Sequence, residues 1–242
     1  MASDFGILGA LWSASAYVGA FGRAVNKIYE VPEGRPFWKL KPYNLAITFL
    51  LVLVLALMLL IMVTGEQVLT FVQGLLPQLD LSTFTAYWLP LRYPLALLLL
   101  IFFISLLYYA TPNVRQPSVR LLSTGAAFAL AVMGLGAWGF NIYVSRFSSY
   151  NATYGLIGAF IITLLFCWIM NNALLLGVQI DAEIQRDKQL QAGIVAEEKL
   201  QLPPKDETMV VKKQEQLQDL IAQGRTIRLA SQTQETEEKQ EA

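Results

Sequence analysis

Three asparagines stand in sequence that is otherwise apolar: Asn141, Asn171 and Asn172. A side-chain amide in hydrocarbon has to find a partner, so two roles are open to each. It can line a polar path for a solute or ion. It can also bond a neighbouring helix, where such contacts average about 0.6 kcal/mol. Interhelical bonding is the plainer reading. Asp181 and Glu183 follow the last apolar run. Positions two apart on a helix differ by about 200° of rotation, so these carboxylates do not share a face as a paired acid and base. Their expected place is the polar end of a span.

The residue types that usually carry catalysis are scarce. The chain has no histidine, which removes the commonest general base, metal ligand and pH switch together. Cys167 is the only cysteine, so a disulfide and a cysteine-based metal centre are both excluded within one chain. No phosphate-binding loop, dinucleotide fingerprint or nucleophile elbow occurs. Asn151-Ala152-Thr153 matches a glycosylation acceptor, a match that would carry no meaning in a bacterial context. The expectation is a protein without catalytic residues, cofactor or metal, and not an enzyme. Arg23, Lys27, Arg35, Lys39 and Lys41 alternate with Tyr29, Phe37 and Trp38. Arginine beside aromatics can hold nucleic acid. A basic segment beside a membrane, touching anionic headgroups, accounts for the same residues with less. With 18 basic and 18 acidic residues there is no cationic excess to suggest nucleic acid.

The elements that must carry these residues are membrane helices. Only 15% of the 242 residues are charged, against about a quarter in soluble domains, and the mean hydropathy is +0.47. The charges are also segregated. None lies between Lys41 and Glu66, Arg92 and Arg115, Arg120 and Arg146, or Arg146 and Asp181, whereas residues 181–242 hold 13 of the acidic and 9 of the basic residues. Spans are expected at about 45–64, 93–110, 121–144 and 156–180. Twenty residues at 1.5 Å each match the roughly 30 Å hydrocarbon core. Pro94 suits the first turn of the second span, and Pro112 ends it. Glycines and alanines in 121–144 predict a helix buried in the bundle through close backbone approach.

Residues 5–22 lack a basic leader and read as part of a further membrane helix, a partial span, not as a cleaved signal. Residues 66–81 have the spacing of an amphipathic helix at the outer interface. Basic residues cluster before the first full span, at Arg115 and Arg120, and at Arg186 and Lys188. By the positive-inside rule all three segments face the cytoplasm. Past Asp181 the last helix continues as a polar extension until Pro203-Pro204 breaks it. A short amphipathic helix is expected within 205–229 through Leu217, Leu220 and Ile221. Residues 230–242 are polar enough to stay disordered. Residues 1–184 thus form a transmembrane helical domain and 185–242 a polar cytoplasmic tail, partly disordered. No internal repeat supports an inverted-repeat transporter.

The run Tyr143-Val144-Ser145-Arg146-Phe147 followed by Ser149-Tyr150-Asn151-Ala152-Thr153-Tyr154-Gly155 resembles the signature of the YihY/BrkB family of bacterial inner-membrane proteins. Leu11-Trp12-Ser13-Ala14-Ser15 is similar to its early W-S-A-S motif. Arg23, Asn26, Tyr29 and Glu30 with Arg35-Pro36-Phe37-Trp38 resemble its basic connecting segment. Leu174-Leu175-Leu176-Gly177 with Asp181-Ala182-Glu183 resembles the end of its last helix. The resemblance covers residues 8–184 and implies a six-helix membrane fold with both termini cytoplasmic. Members have a further helix before the W-S-A-S segment, and seven residues precede Leu8 here, so four complete spans and a partial fifth are expected. The family has also carried the label ribonuclease BN, to which these residues lend no support.

The sequence therefore predicts an all-α, polytopic transmembrane helical bundle of the bacterial inner membrane with a cytoplasmic C-terminal tail. Its expected role is non-enzymatic, a passage for small molecules or lipids. The alternative is an accessory or assembly protein that holds partners through residues 181–242. The partners expected are the lipid bilayer, anionic headgroups, a second copy of the chain or other proteins, and no nucleic acid.

Overall fold

A computed structural model describes residues 2–75, 82–116, 121–147 and 155–241. Among these residues seven helices follow one another: α1 (Ala2–Ile28), α2 (Phe37–Val63), α3 (Glu66–Leu75), α4 (Ser82–Ala110), α5 (Thr124–Phe147), α6 (Gly155–Gln191) and α7 (Thr208–Glu241). Among the described residues there is no β-strand. Four of the described helices, α2, α4, α5 and α6, are long and apolar enough to cross a membrane.

The helices outrun the apolar runs that nucleate them, and their ends are set by capping chemistry. Pro36 in extended conformation opens α2. At its other end Thr64 turns its hydroxyl back to the Leu60 carbonyl, 2.7 Å away. α4 starts at Ser82, so Pro94 stands inside it and not in a first turn, as does Pro90. The two prolines forfeit the helix bonds to the Ala86 and Pro90 carbonyls, and the flanking turns carry the helix through. The Thr111 hydroxyl bonds the Leu107 carbonyl at 2.6 Å, and Pro112 then stops continuation. α3 forms the first part of the expected amphipathic helix, and residues 76–81 lie outside those described.

The tail departs from expectation in two places. α6 does not persist to Pro203-Pro204. It ends at Gln191, where Gly193 takes φ +75° and its N–H bonds Leu190 O while the Ile194 N–H bonds Gln189 O. That is a glycine-terminated helix end, and only glycine adopts its left-handed φ without steric cost. α7 runs on to Glu241, past the expected limit of 229 and through the stretch expected to be unstructured. After Gly224 no glycine or proline interrupts it.

The core lies toward the end where α1, α4 and α6 finish and α2 and α5 begin. The C-terminal segment lies there too, which makes it the tail side. Val18, Phe21, Val25, Ile104, Leu107, Tyr108, Ala129, Val178 and Leu200 are buried there. α1 and α4 both pack on α2, and α5 pairs with α6. At the tail-side crossing of α5 and α6, a Cβ on Gly177 would come 2.5 Å from the Gly125 carbonyl, and one on Gly125 would run into the Gly177 carbonyl. Backbone therefore meets backbone, the close approach expected of small residues in lipid. Away from that crossing α5 is not buried as its glycines predicted. Only 6% of its spanning window is covered, and Gly134 and Gly139 have no neighbour within 4 Å of a Cβ.

Candidate functional site

The three asparagines singled out by the sequence are not brought together. The Tyr17 hydroxyl of α1 donates to Asn171 Oδ1 at 3.0 Å, so this amide ties α1 to α6. Asn172 turns its amide onto its own helix, donating to the Trp168 carbonyl at 2.8 Å. Asn141 is exposed on α5. It sits beside the level where Phe140 and Phe166 rings approach to 4.5 Å. Asn171 lies five positions beyond Phe166, about 8 Å further along the axis.

Asp181 does more than end a span. Its carboxylate reaches from α6 to the start of α5, accepting the Gly125 N–H at 2.8 Å and the Ser123 hydroxyl. Ser123 in turn accepts the Ala126 N–H at 3.0 Å. A serine cap and a carboxylate thus satisfy the free amides of the first turn and oppose the positive end of the helix dipole. Glu183 points elsewhere, 3.4 Å from Arg186, as the 200° argument requires.

Beside Asp181 lies a polar cavity of about 60 Å³, walled by Tyr29, Tyr109, Gln116, Ser123, Gln185 and Lys188 and roofed by Leu202. Burial, then the Asp181 charge, push the Tyr29 phenol well above its ordinary range. The roof comes from residues 194–206, an extended strap. Leu200 is buried, its N–H bonding Glu30 Oε2 at 2.8 Å, while Arg186 bonds Glu30 Oε1 at 3.1 Å and the Ala196 carbonyl at 2.7 Å. Glu30 holds φ at +58°, where a side chain costs about 1–2 kcal/mol. Its bonds to Leu200 of the strap and to Arg186 of α6 offset that strain.

A second polar node fastens the strap further along. Asn113 is fully buried. Its N–H bonds Asn26 Oδ1 at 2.7 Å, and its amide exchanges bonds with the Asp206 backbone at 2.8 and 3.0 Å. Arg35 grips Glu33 through two nitrogens at 2.7 and 2.8 Å and donates to the Thr111 carbonyl at 2.9 Å. Burial alone would raise the Glu33 carboxyl, but the Arg35 guanidinium outweighs it and holds the group below its ordinary value. Lys205 spends its ammonium on the Tyr109 and Pro112 carbonyls, at 2.6 and 2.9 Å. Burial, with Arg35 nearby, draws its pKa down to about 8 against a weaker pull from Glu33.

Sequence reasoning missed this strap. The signal was there in Leu200 and Leu202, two apart before Pro203-Pro204, an extended pattern and not a helical one. On the far half of the molecule, α5 and α6 part enough to leave an apolar groove of about 400 Å³, lined by Gly136, Gly139, Phe140, Ile162, Leu165 and Phe166. Among the described residues no group of three Asp, Glu or Cys side chains gathers as a metal ion would need.

Fold and surface together define a multi-pass helical membrane protein. More narrowly, the family described as Virulence factor BrkB matches residues 1–201, and the chain belongs to that family. The ribonuclease-like protein YfkH of Bacillus subtilis (strain 168) is 32% identical over 187 residues, which is 77% of this chain and 67% of that protein. A UPF0761 membrane protein of Histophilus somni (strain 129Pt) is 31% identical over 41% of this chain and 34% of its own length. Another, from Enterobacter sp. (strain 638), is 32% identical over 44% and 36%. These two matches thus span about a third of each relative. No solved structure matches. The residues that carry the family resemblance gather on the tail side: Trp12 and Ser15 against α2, Asn26, Glu30 and Arg35 in the polar nodes, Gly177 and Asp181 at the α5–α6 crossing. The signature residues 148–154, with the acceptor-like Asn151-Ala152-Thr153, lie outside those described, as does Arg120.

Proposed function

We propose that this protein gives lipid a passage along the α5–α6 hairpin, in a bacterial inner membrane, with the C-terminal tail in the cytoplasm and without catalysis. The observation that carries this reading is the apolar groove of about 400 Å³ between the two helices, on a helix α5 that is little covered along its apolar stretch. Its lining carries no charged side chain, and two glycines remove the bulk that would close it. An acyl chain fits such a surface, because apart from the Tyr143 phenol the lining side chains are hydrocarbon, and hydrocarbon packs against hydrocarbon. Placing the tail in the cytoplasm is favoured by Arg23, Lys27, Arg35, Lys39, Lys41, Arg115, Arg186 and Lys188, all on the tail side. The test is transbilayer movement of a fluorescent phospholipid in reconstituted vesicles. Movement faster than in empty vesicles, and slowed when Gly136→Leu and Gly139→Leu fill the groove, is the expected result. A rate equal to that of empty vesicles overturns it.

The alternative, partner binding through the tail, is favoured by one observation. α7 extends 34 residues, about 50 Å, with Leu217, Leu220 and Ile221 all more than half exposed. The deletion that tests it has to begin beyond the strap, since Leu200 and Lys205 belong to the folded tail side. Removing residues 212–242 should abolish recovery of crosslinked partners, and undiminished recovery counts against the tail's role.

A further inference from the structure

A pocket of about 200 Å³ opens between α1 and the start of α2 on the tail side, away from the lipid groove and from the strap. Arg23, Lys41 and Asn44 line it together with Ser15, Gly19 and Phe37. Its charge is uncompensated. Among the described residues neither Arg23 nor Lys41 pairs with a carboxylate. Lys41 is held in place by neutral groups, its ammonium 3.9 Å from the centre of the Trp12 ring and 3.0 Å from the Ser15 hydroxyl oxygen. A cation fixed by a ring face and one hydroxyl keeps further N–H donors for a ligand.

Asn44 supplies the second, independent observation. Its side chain is 95% buried, yet the amide makes no hydrogen bond among the described residues. That amide is reached from the pocket, where its N–H stays available to a ligand. The space for that ligand is made by Gly19: a Cβ there would lie 2.9 Å from Asn44 Nδ2 and 3.5 Å from an Arg23 guanidinium nitrogen. The first turn of α2, whose Phe37 lines the pocket, has no side-chain cap and no acidic residue, so the positive end of its dipole is unopposed.

A guanidinium, an ammonium and an amide form a donor set with no carboxylate to match it among the described residues. We infer that this pocket is a site for a phosphate group, taken from the headgroup of an anionic membrane lipid. The phosphate follows from the donors, since arginine, lysine and amide N–H groups all bond its oxygens. The lipid source follows from the rim. Phe37 and Trp38 are each 72% exposed and Trp12 is 55% exposed, and aromatic rings of this kind seat at the headgroup level of a bilayer. The inference stands whether or not lipid moves along the α5–α6 groove.

The test uses the purified full chain in detergent, titrated with phosphatidylglycerol and followed by native mass spectrometry. Parallel titrations use diacylglycerol, which lacks the phosphate, and soluble glycerol phosphate. One phosphatidylglycerol should be retained saturably, with little diacylglycerol. R23Q and K41Q should each weaken retention roughly tenfold, the usual worth of one charge-assisted bond. N44D, which keeps size but adds a negative charge, should abolish it. Unchanged melting temperatures in these variants would tie the loss to the pocket. Equal retention of diacylglycerol, or undiminished retention in all three variants, overturns the site. Displacement of the lipid by an equal concentration of glycerol phosphate overturns its membrane source.

Discussion

Gly125 and Gly177 touch through backbone, where any side chain would have to displace a carbonyl. Gly125→Ala therefore forces the tail-side ends of α5 and α6 apart, and overpacking of this kind costs about 1–3 kcal/mol. A lowered melting temperature in detergent is the expected outcome, and an unchanged one would mean that the crossing is looser than the geometry requires. Lys205 makes a different residue-scale prediction. Its pKa is about 8 in the folded chain against 10.5 unfolded. Between those values the unfolded chain binds more protons, so strap docking strengthens as pH rises from 8 toward 10. Hydrogen exchange of residues 194–206 should slow over that window beyond the intrinsic trend, and Lys205→Met should flatten the effect. Above pH 10 the Tyr29 phenol, pushed upward, acts in the opposite sense, because its unfolded form releases protons first.

The strap is the element whose removal should be felt most. Leu200 is 1% exposed, and its N–H, held by Glu30, fixes the segment across the ends of α1 and α6. Leu200→Ala should lower stability by about 2–5 kcal/mol, the usual cost of truncating a buried leucine. Thermal unfolding in detergent reads this directly. Removal of residues 212–242 should leave the same transition in place, since α7 past its first turn is largely exposed. Equal losses from the two changes would show that α7 supports the core.

For the whole molecule, the packing forms a closed tail side and a parted far side. Leu135 and Trp138 on α5, each about two-thirds exposed, then face lipid. The proposed orientation gives a topological prediction. In a Cys167→Ser background, Gln218→Cys should react with a membrane-impermeant reagent only in inverted vesicles. Thr70→Cys on α3 should react only from the outer face. The reverse pattern would turn the molecule over in the membrane and break the positive-inside reading.

Membrane class and family were already legible in the amino-acid order. Charge-free runs of bilayer length satisfy their backbone in lipid only as helices, and the W-S-A-S and basic segments identified the relatives. What the order did not decide was which apolar face meets protein and which meets lipid. Lipid tails are as apolar as leucine, so hydropathy scores both alike. The glycine-rich α5 was accordingly expected inside the bundle and stands at its edge. The bonding of Asn171 to Tyr17 and of Lys205 to the end of α4 was equally hidden. These partners lie 154 and about a hundred residues apart, and the contacts exist only once separate helices have converged. Local sequence ranks a segment's preference for oil over water, whereas the fit of one helix against another is settled by distances between atoms that the chain order does not contain.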